Sequence, residues 1–202
     1  MFYLGWAAGD TDEAVAAIRK LISRDPLSPY LCGMFAILLA SLGEVEATEW
    51  ASRASALDPD AFLSLFVSQI AASAIGDWPR TIAVSEALFA AGGRLPPPVC
   101  WYALARHRNG HVAGARAVYD DLKASTNNGE RAPFSLACVA AELGLIDDAV
   151  ASTRAAIARR DPTMFAFGRG RLTPVEALRQ LPVYDELMPQ VNWPTSVYRY
   201  PG

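Results

Sequence analysis

The sequence is poor in lysine, histidine and cysteine, and it contains no recognisable catalytic signature. Of its 18 basic residues only Lys20 and Lys123 are lysines, and the net charge is −3. That balance argues against a nucleic-acid binder, although it leaves room for a local basic patch, so no nucleic-acid partner is expected. Cys32, Cys100 and Cys138 are odd in number, far apart and set in apolar stretches. A disulfide framework needs a dense, even set, so they read as reduced, buried thiols of a cytoplasmic protein. The longest apolar run, Leu31 to Leu42, is interrupted by Gly33 and Ser41. It is too short for a membrane span of about 20 residues. No basic leader precedes Asp10, which argues against a signal peptide.

Candidate chemistry is equally thin. His107 and His111 are four apart, but Gly110 lies between them at an inferred turn and no cysteine or carboxylate stands at ligand spacing, so no metal site is expected. Asp120-Asp121 and Asp147-Asp148 are adjacent pairs, which on a helix point about 100° apart instead of converging on one atom. Phe167-Gly-Arg-Gly-Arg171 lacks the lysine of a phosphate loop and reads as a linker. No catalytic residue, metal or cofactor is assigned, and the chain is not expected to be an enzyme.

What the sequence does have is apolar bulk, alanine and a ladder. Of 202 residues 52% are hydrophobic and 19% charged, enough for one domain or a short repeat array with a real core. The 36 alanines favour helices that approach closely. Gly9, Gly43, Gly76, Gly110 and Gly144 follow one another at intervals of 34, 33, 34 and 34 residues. Each is followed by a few polar or small residues and then a small residue opening an amphipathic stretch, such as Ala14, Ala47, Ala115 and Ala149. Asp25-Pro26, Asp58-Pro59 and Asp161-Pro162 supply a second landmark. Glycine takes the positive φ that ends one helix and proline stops the next, so each unit reads as helix, glycine turn, helix, stop. Acidic residues open the second helices and basic ones close them, as with Asp12 and Glu13 ahead of Arg19, Lys20 and Arg24.

This ladder resembles the tetratricopeptide (TPR) repeat, a 34-residue unit of two antiparallel helices. Ala36, Ala103 and Ala137 fall where that family places a small residue in the first helix, behind Phe35, Tyr102 and Leu136. The resemblance implies an all-α, right-handed α-α superhelix of about five helix pairs with a C-terminal capping helix. The expected units lie near 1–26, 27–59, 60–93, 94–128 and 129–162, followed by a linker, capping helix and extended tail over 163–202. The third unit departs from the pattern, with Ser68 and Gln69 at apolar positions, and Gly92-Gly93-Arg-Leu-Pro96 and the stretch from Ala124 to Pro133 mark widened connections. Thr173, Pro174 and Glu176 form a helix start with Thr173 as N-cap, and the leucines and Tyr184 beyond it are expected to cover the last repeat. Such a tail is similar to the segment closing TPR arrays in bacterial multidomain signalling proteins. That likeness implies a regulatory protein with further domains upstream.

In the TPR family the first helices line a concave groove. The resemblance maps that groove onto Tyr30, Ile37, Phe66, Ile70, Leu104, His107, Arg108 and Arg131, with Leu63, Phe134 and Glu142 alongside. Each position serves either a ligand or the packing between neighbouring first helices, and Leu63 and Phe134 read as core. The expected function is therefore a scaffold that binds a peptide or partner domain. The alternatives are self-association into a homodimer through the shortened first unit, with Phe2, Leu4 and Trp6, and, more remotely, helical-repeat RNA binding.

Overall fold

A computed structural model of the protein describes residues 11–92, 94–126, 131–168 and 171–191, the side chains of 165 and 166 excepted. The leading helix expected in the first unit, with Phe2, Leu4 and Trp6, lies outside the described residues. The described part is all-helical, and its helices pack in adjacent pairs. They are α1 (Thr11–Arg24), α2 (Pro29–Leu42), α3 (Ala47–Leu57), α4 (Phe62–Ala74), α5 (Trp78–Ala90), α6 (Pro96–Arg108), α7 (Val112–Ser125), α8 (Pro133–Glu142) and α9 (Ile146–Ala158). Three short helices follow: α10 (Pro162–Phe167), α11 (Thr173–Arg179) and α12 (Pro182–Leu187). No described helix is long and apolar enough to cross a membrane.

The glycine ladder makes the hairpins. Gly43, Gly76, Gly110 and Gly144 have φ of +80°, +73°, +85° and +71°, a region that only glycine enters without strain. Around each the same closing bond recurs: Glu44 N donates to Leu39 O, Asp77 N to Ala72 O, His111 N to Arg106 O and Leu145 N to Ala140 O. That is the Schellman closure, which satisfies a carbonyl left over at the helix end. Prolines open α2, α6 and α8, with Pro29, Pro96 and Pro133 at first positions, where the missing N–H costs nothing. Ser28 adds a side-chain cap to α2 by accepting from Leu31 N.

Even-numbered helices form one layer, in which α2 touches α4, α4 touches α6 and α6 touches α8. Odd-numbered helices flank it, each packing on the even helix that follows: α1 on α2, α3 on α4, α5 on α6 and α7 on α8. The even helices run parallel, since the thiols of Cys100 and Cys138 meet at the middles of α6 and α8 while Arg108 and Glu142 meet at their C-terminal ends. Odd helices bury a single stripe, for example Ala14, Ile18 and Ile22 in α1 or Ala47, Ala51 and Ala54 in α3. Even helices are buried nearly all round, from Cys32 to Ser41 in α2 and from Pro133 to Ala141 in α8.

The polar residues of the third unit do not disturb its helix, because α4 runs unbroken across them. Ser68 Oγ hydrogen-bonds Ser55 Oγ at 2.8 Å. Gln69, fully buried, donates to Ser85 Oγ at 2.6 Å and Pro98 O at 2.9 Å. Residues 91–95 and 126–132 separate helices where widened connections were expected. Thr173 is the first helical residue of α11, not its cap: Leu172 occupies the cap position and makes no side-chain bond.

Candidate partner-binding site

From Asp161 onward the chain turns back across the even-helix layer. Asp161 Oδ1 accepts from Thr163 N and so caps α10, while Oδ2 accepts from Phe134 N at the start of α8. Phe167 then lies edge-on to Trp101 of α6 and Phe66 of α4, with ring centres 5.8 and 6.4 Å away, and those two rings are 5.6 Å apart. Further on, Arg171 N donates to Ser41 O at the end of α2, at 2.7 Å. The Arg171 side chain passes over Gly43, where a Cβ would sit 3.0 Å from its Cδ. From there α11 returns over α6 and α8, and α12 reaches α9. Tyr184 Oη donates to Gly168 O at 2.9 Å and ties the two arms together. Leu172, Val175 and Leu178 are buried by this crossing. The segment is therefore a strap over the array as well as a cover for its last unit.

The strap decides what becomes of the expected groove. Ile37, Ile70 and Leu104 are buried inside the even layer, and Phe66 lies beneath Phe167. Tyr30 at the start of α2 is half exposed, and Arg131 just before α8 is exposed. Both stand at the N-terminal edge of the layer, opposite His107 and Arg108 at its C-terminal edge. The eight residues thus do not form one surface. Phe134 is buried in the core, whereas Leu63 is only partly buried and packs against it, touching the point where a Cβ on Gly33 would lie.

At the C-terminal edge the geometry converges on one guanidinium. Arg108 Nε and Nη2 donate to Glu142 Oε1 and Oε2 at 3.0 and 3.1 Å. Its Nη1 reaches Glu176 Oε2 of α11 at 3.0 Å. The Trp78 ring centre is 5.3 Å from its Cζ, a cation–π distance. His107 Nδ1 lies 2.9 Å from Glu142 Oε1. Burial opposes the Arg108 charge, but the bonds and charge of Glu142, then of Glu176, overcome it and raise its pKa. The Glu142 side chain is 7% exposed and that of Glu176 is 58% exposed. The first pair is thus a bidentate, desolvated seat, whereas an exposed pair like the second contributes only about 0.2–1 kcal/mol.

Beside Arg108 a cleft of about 680 Å³ opens between the strap and the turns of the second and third units. Val45 and Ile75, 87% and 66% exposed, form its aliphatic wall, and Arg171 and Arg179 come from the strap. The Ser73 hydroxyl lines it, buried and without a hydrogen-bond partner among the described residues. Under the strap, Trp101 is 2% exposed and its Nε1–H meets no acceptor among the described residues.

The other groups singled out in the sequence do not converge on a site. Cys100 and Cys138 face each other, and their hydrogen bond, then burial, pushes the Cys100 thiol well above its ordinary range. His111 is exposed at the start of α7 and shares no site with His107. Asp121 pairs with Arg94 and Asp120 with Arg116, so the adjacent acids diverge as expected. Among the described residues no three His, Cys, Asp or Glu side chains group as for a metal.

Trp101, Trp78, Phe167, Arg171 and Glu176 are not among the residues expected from the sequence to form the site. Glu176 stands in the first turn of α11, where an acid suits the helix N-terminus on local grounds, so nothing in its neighbours signals a bond to Arg108. No known protein family matches this chain, and no curated protein does.

Proposed function

We propose that the chain is a partner-binding scaffold: a TPR-like, right-handed α-α superhelix that takes a peptide or a partner domain as part of a larger regulatory protein. The observation that carries this reading is the cleft at the C-terminal edge, where Arg108, Arg171 and Arg179 stand beside an aliphatic wall. Arginine is enriched among interface anchors, and an exposed apolar patch beside it marks an interaction site. The repeated hairpins favour the same reading, since stacked two-helix units give an extended surface. Binding, rather than catalysis, also suits the way the ionisable side chains at this edge are spent on one another. Three free, buried thiols fit a reducing, cytoplasmic setting.

The test is selection of peptides from a displayed library on the full chain, followed by titration of the selected sequences. Affinity is expected to fall at least tenfold on Arg108→Ala and several-fold on Ile75→Asp. Selected peptides that bind both variants as well as the parent chain would refute the cleft as the binding surface.

A further inference from the structure

The strap has the chemistry of a ligand. It presents an aromatic anchor (Phe167), buried aliphatic residues (Leu172, Val175, Leu178) and a carboxylate (Glu176) to a face built from α4, α6 and α8. Its helices are six, seven and six residues long, far below the length at which a helix holds itself in water. Their order depends on the face they cover.

That face is arranged to survive the strap's departure. Arg108 would keep both bonds to Glu142 and its place beside Trp78, losing only the exposed contact with Glu176. His107 and the Cys100–Cys138 pair are held within the array itself. One group on the face is better served by something other than the strap. Among the described residues the Nε1–H of Trp101 meets no acceptor, so an occupant that brings an oxygen to it gains a bond that none of them supplies.

Resting on the reading of the chain as a partner-binding scaffold, we propose that the strap is an intramolecular stand-in for a partner. That partner is an amphipathic protein segment with an aromatic anchor, a carboxylate for Arg108 and an oxygen acceptor for Trp101. It takes the face of α4, α6 and α8 when the strap lifts. The strap sets a threshold, because a tethered competitor acts at a high effective concentration that a partner must exceed.

The experiment uses the full chain and, as probe, a fluorescently labelled synthetic peptide of the strap's own residues 162–188, with binding read by anisotropy. The intact chain is expected to bind it weakly. A Phe167→Ala/Glu176→Ala chain, whose own strap is weakened, should bind at least tenfold more tightly, and adding Arg108→Ala should abolish most of the gain. Glu176→Gln alone, which leaves every apolar contact in place, should give about a threefold gain, the size of an exposed ion pair. In a second arm, a peptide with Pro174→Gln, at a position that shares a small cavity with Trp101, should bind more tightly than the parent peptide. That advantage should vanish on a Trp101→Phe chain.

Equal affinity of the intact and weakened chains would overturn the proposal, as would loss of the array's helical signal in both strap variants, which would make the strap an integral wall. Dimerisation on weakening, seen by light scattering, would give the face to a second copy's strap and overturn the external partner. These failures are separate from that of the scaffold reading: a library peptide can depend on Arg108 whether or not the strap lifts.

Discussion

Helix α2 buries ten consecutive residues from Cys32 to Ser41, whereas α3, the other arm of the same hairpin, buries only Ala47, Ala51 and Ala54. The same contrast separates α8 from α9, whose buried residues are Ala149, Thr153 and Ala156. An even helix is enclosed by its hairpin partner, by the odd helix before it and by its even neighbours, and α6 and α8 also lie under the strap. An odd helix has one covered side and can use small residues there, which lets it approach closely. Periodicity therefore carries different information in the two sets. In odd helices it marks the inward face, and in even helices it is nearly absent because every face is inward.

The sharpest way to break this contrast is truncation. Leu104→Ala in α6, at a site 1% exposed, should destabilise by about 2–5 kcal/mol. Arg154→Ala on the exposed side of α9 should stay within about 0.5 kcal/mol. Chemical denaturation measures both, and comparable losses would remove the distinction. Enlargement probes the odd helices from the other side. Ala149→Leu, where the native side chain is fully buried, should cost about 1–3 kcal/mol, while Ala151→Leu two positions on, facing solvent, should be nearly neutral.

A smaller effect comes from pH, at the join between α7 and α9. The Tyr119 hydroxyl donates to Asp148 Oδ2 at 2.7 Å and Lys123 Nζ lies 3.2 Å from the same oxygen. The Tyr119 bond holds the Asp148 carboxyl below its ordinary 3.8, burial opposes this, and Lys123 adds to the lowering. Because the unfolded chain takes up its proton first, this contribution is complete above the ordinary carboxyl value. It is lost as pH falls through the lowered folded-state value. Tyr119 behaves in the opposite direction: burial, then Asp148, pushes its pKa above the ordinary 10.0. The folded state keeps that proton after the unfolded chain has released it, so stability declines as pH rises past about 10. Asp148→Asn should flatten the acid limb and Tyr119→Phe the alkaline limb of a plot of melting temperature against pH. Unchanged limbs would remove the pair from the account.

The smallest signal expected is chemical. Cys32, Cys100 and Cys138 all belong to even helices and are all buried. An aromatic disulfide reagent should modify none of them at native pH within the time that labels all three in denaturant. Rapid native labelling of any one would show that its helix is open.

The hairpins were legible because their signals are local. A glycine with positive φ and a following closing bond act within six residues, and Asp-Pro acts within two. What was hidden depends on partners far along the chain. Ser68 and Gln69 look out of place in α4 until Ser55, Ser85 and Pro98, from three other elements, are seen to meet them. Ile37, Ile70 and Leu104 carry the same apolar character whether they face a ligand or a neighbouring helix, so spacing could not sort them. The tail was legible as helix, but its destination was not. Nothing between Thr173 and Met188 indicates that Glu176 meets a guanidinium 68 positions earlier.

One carboxylate gives the strap its direction. Since both oxygens of Asp161 are engaged, one by α10 and one by the start of α8, the proximal end of the crossing is riveted to the final repeat. At the bend, Arg171 N donates to Ser41 O and the Arg171 side chain lies over Gly43. If the strap lifts as proposed, the Asp161 rivet keeps it tethered to the end of the array, beside the face it leaves.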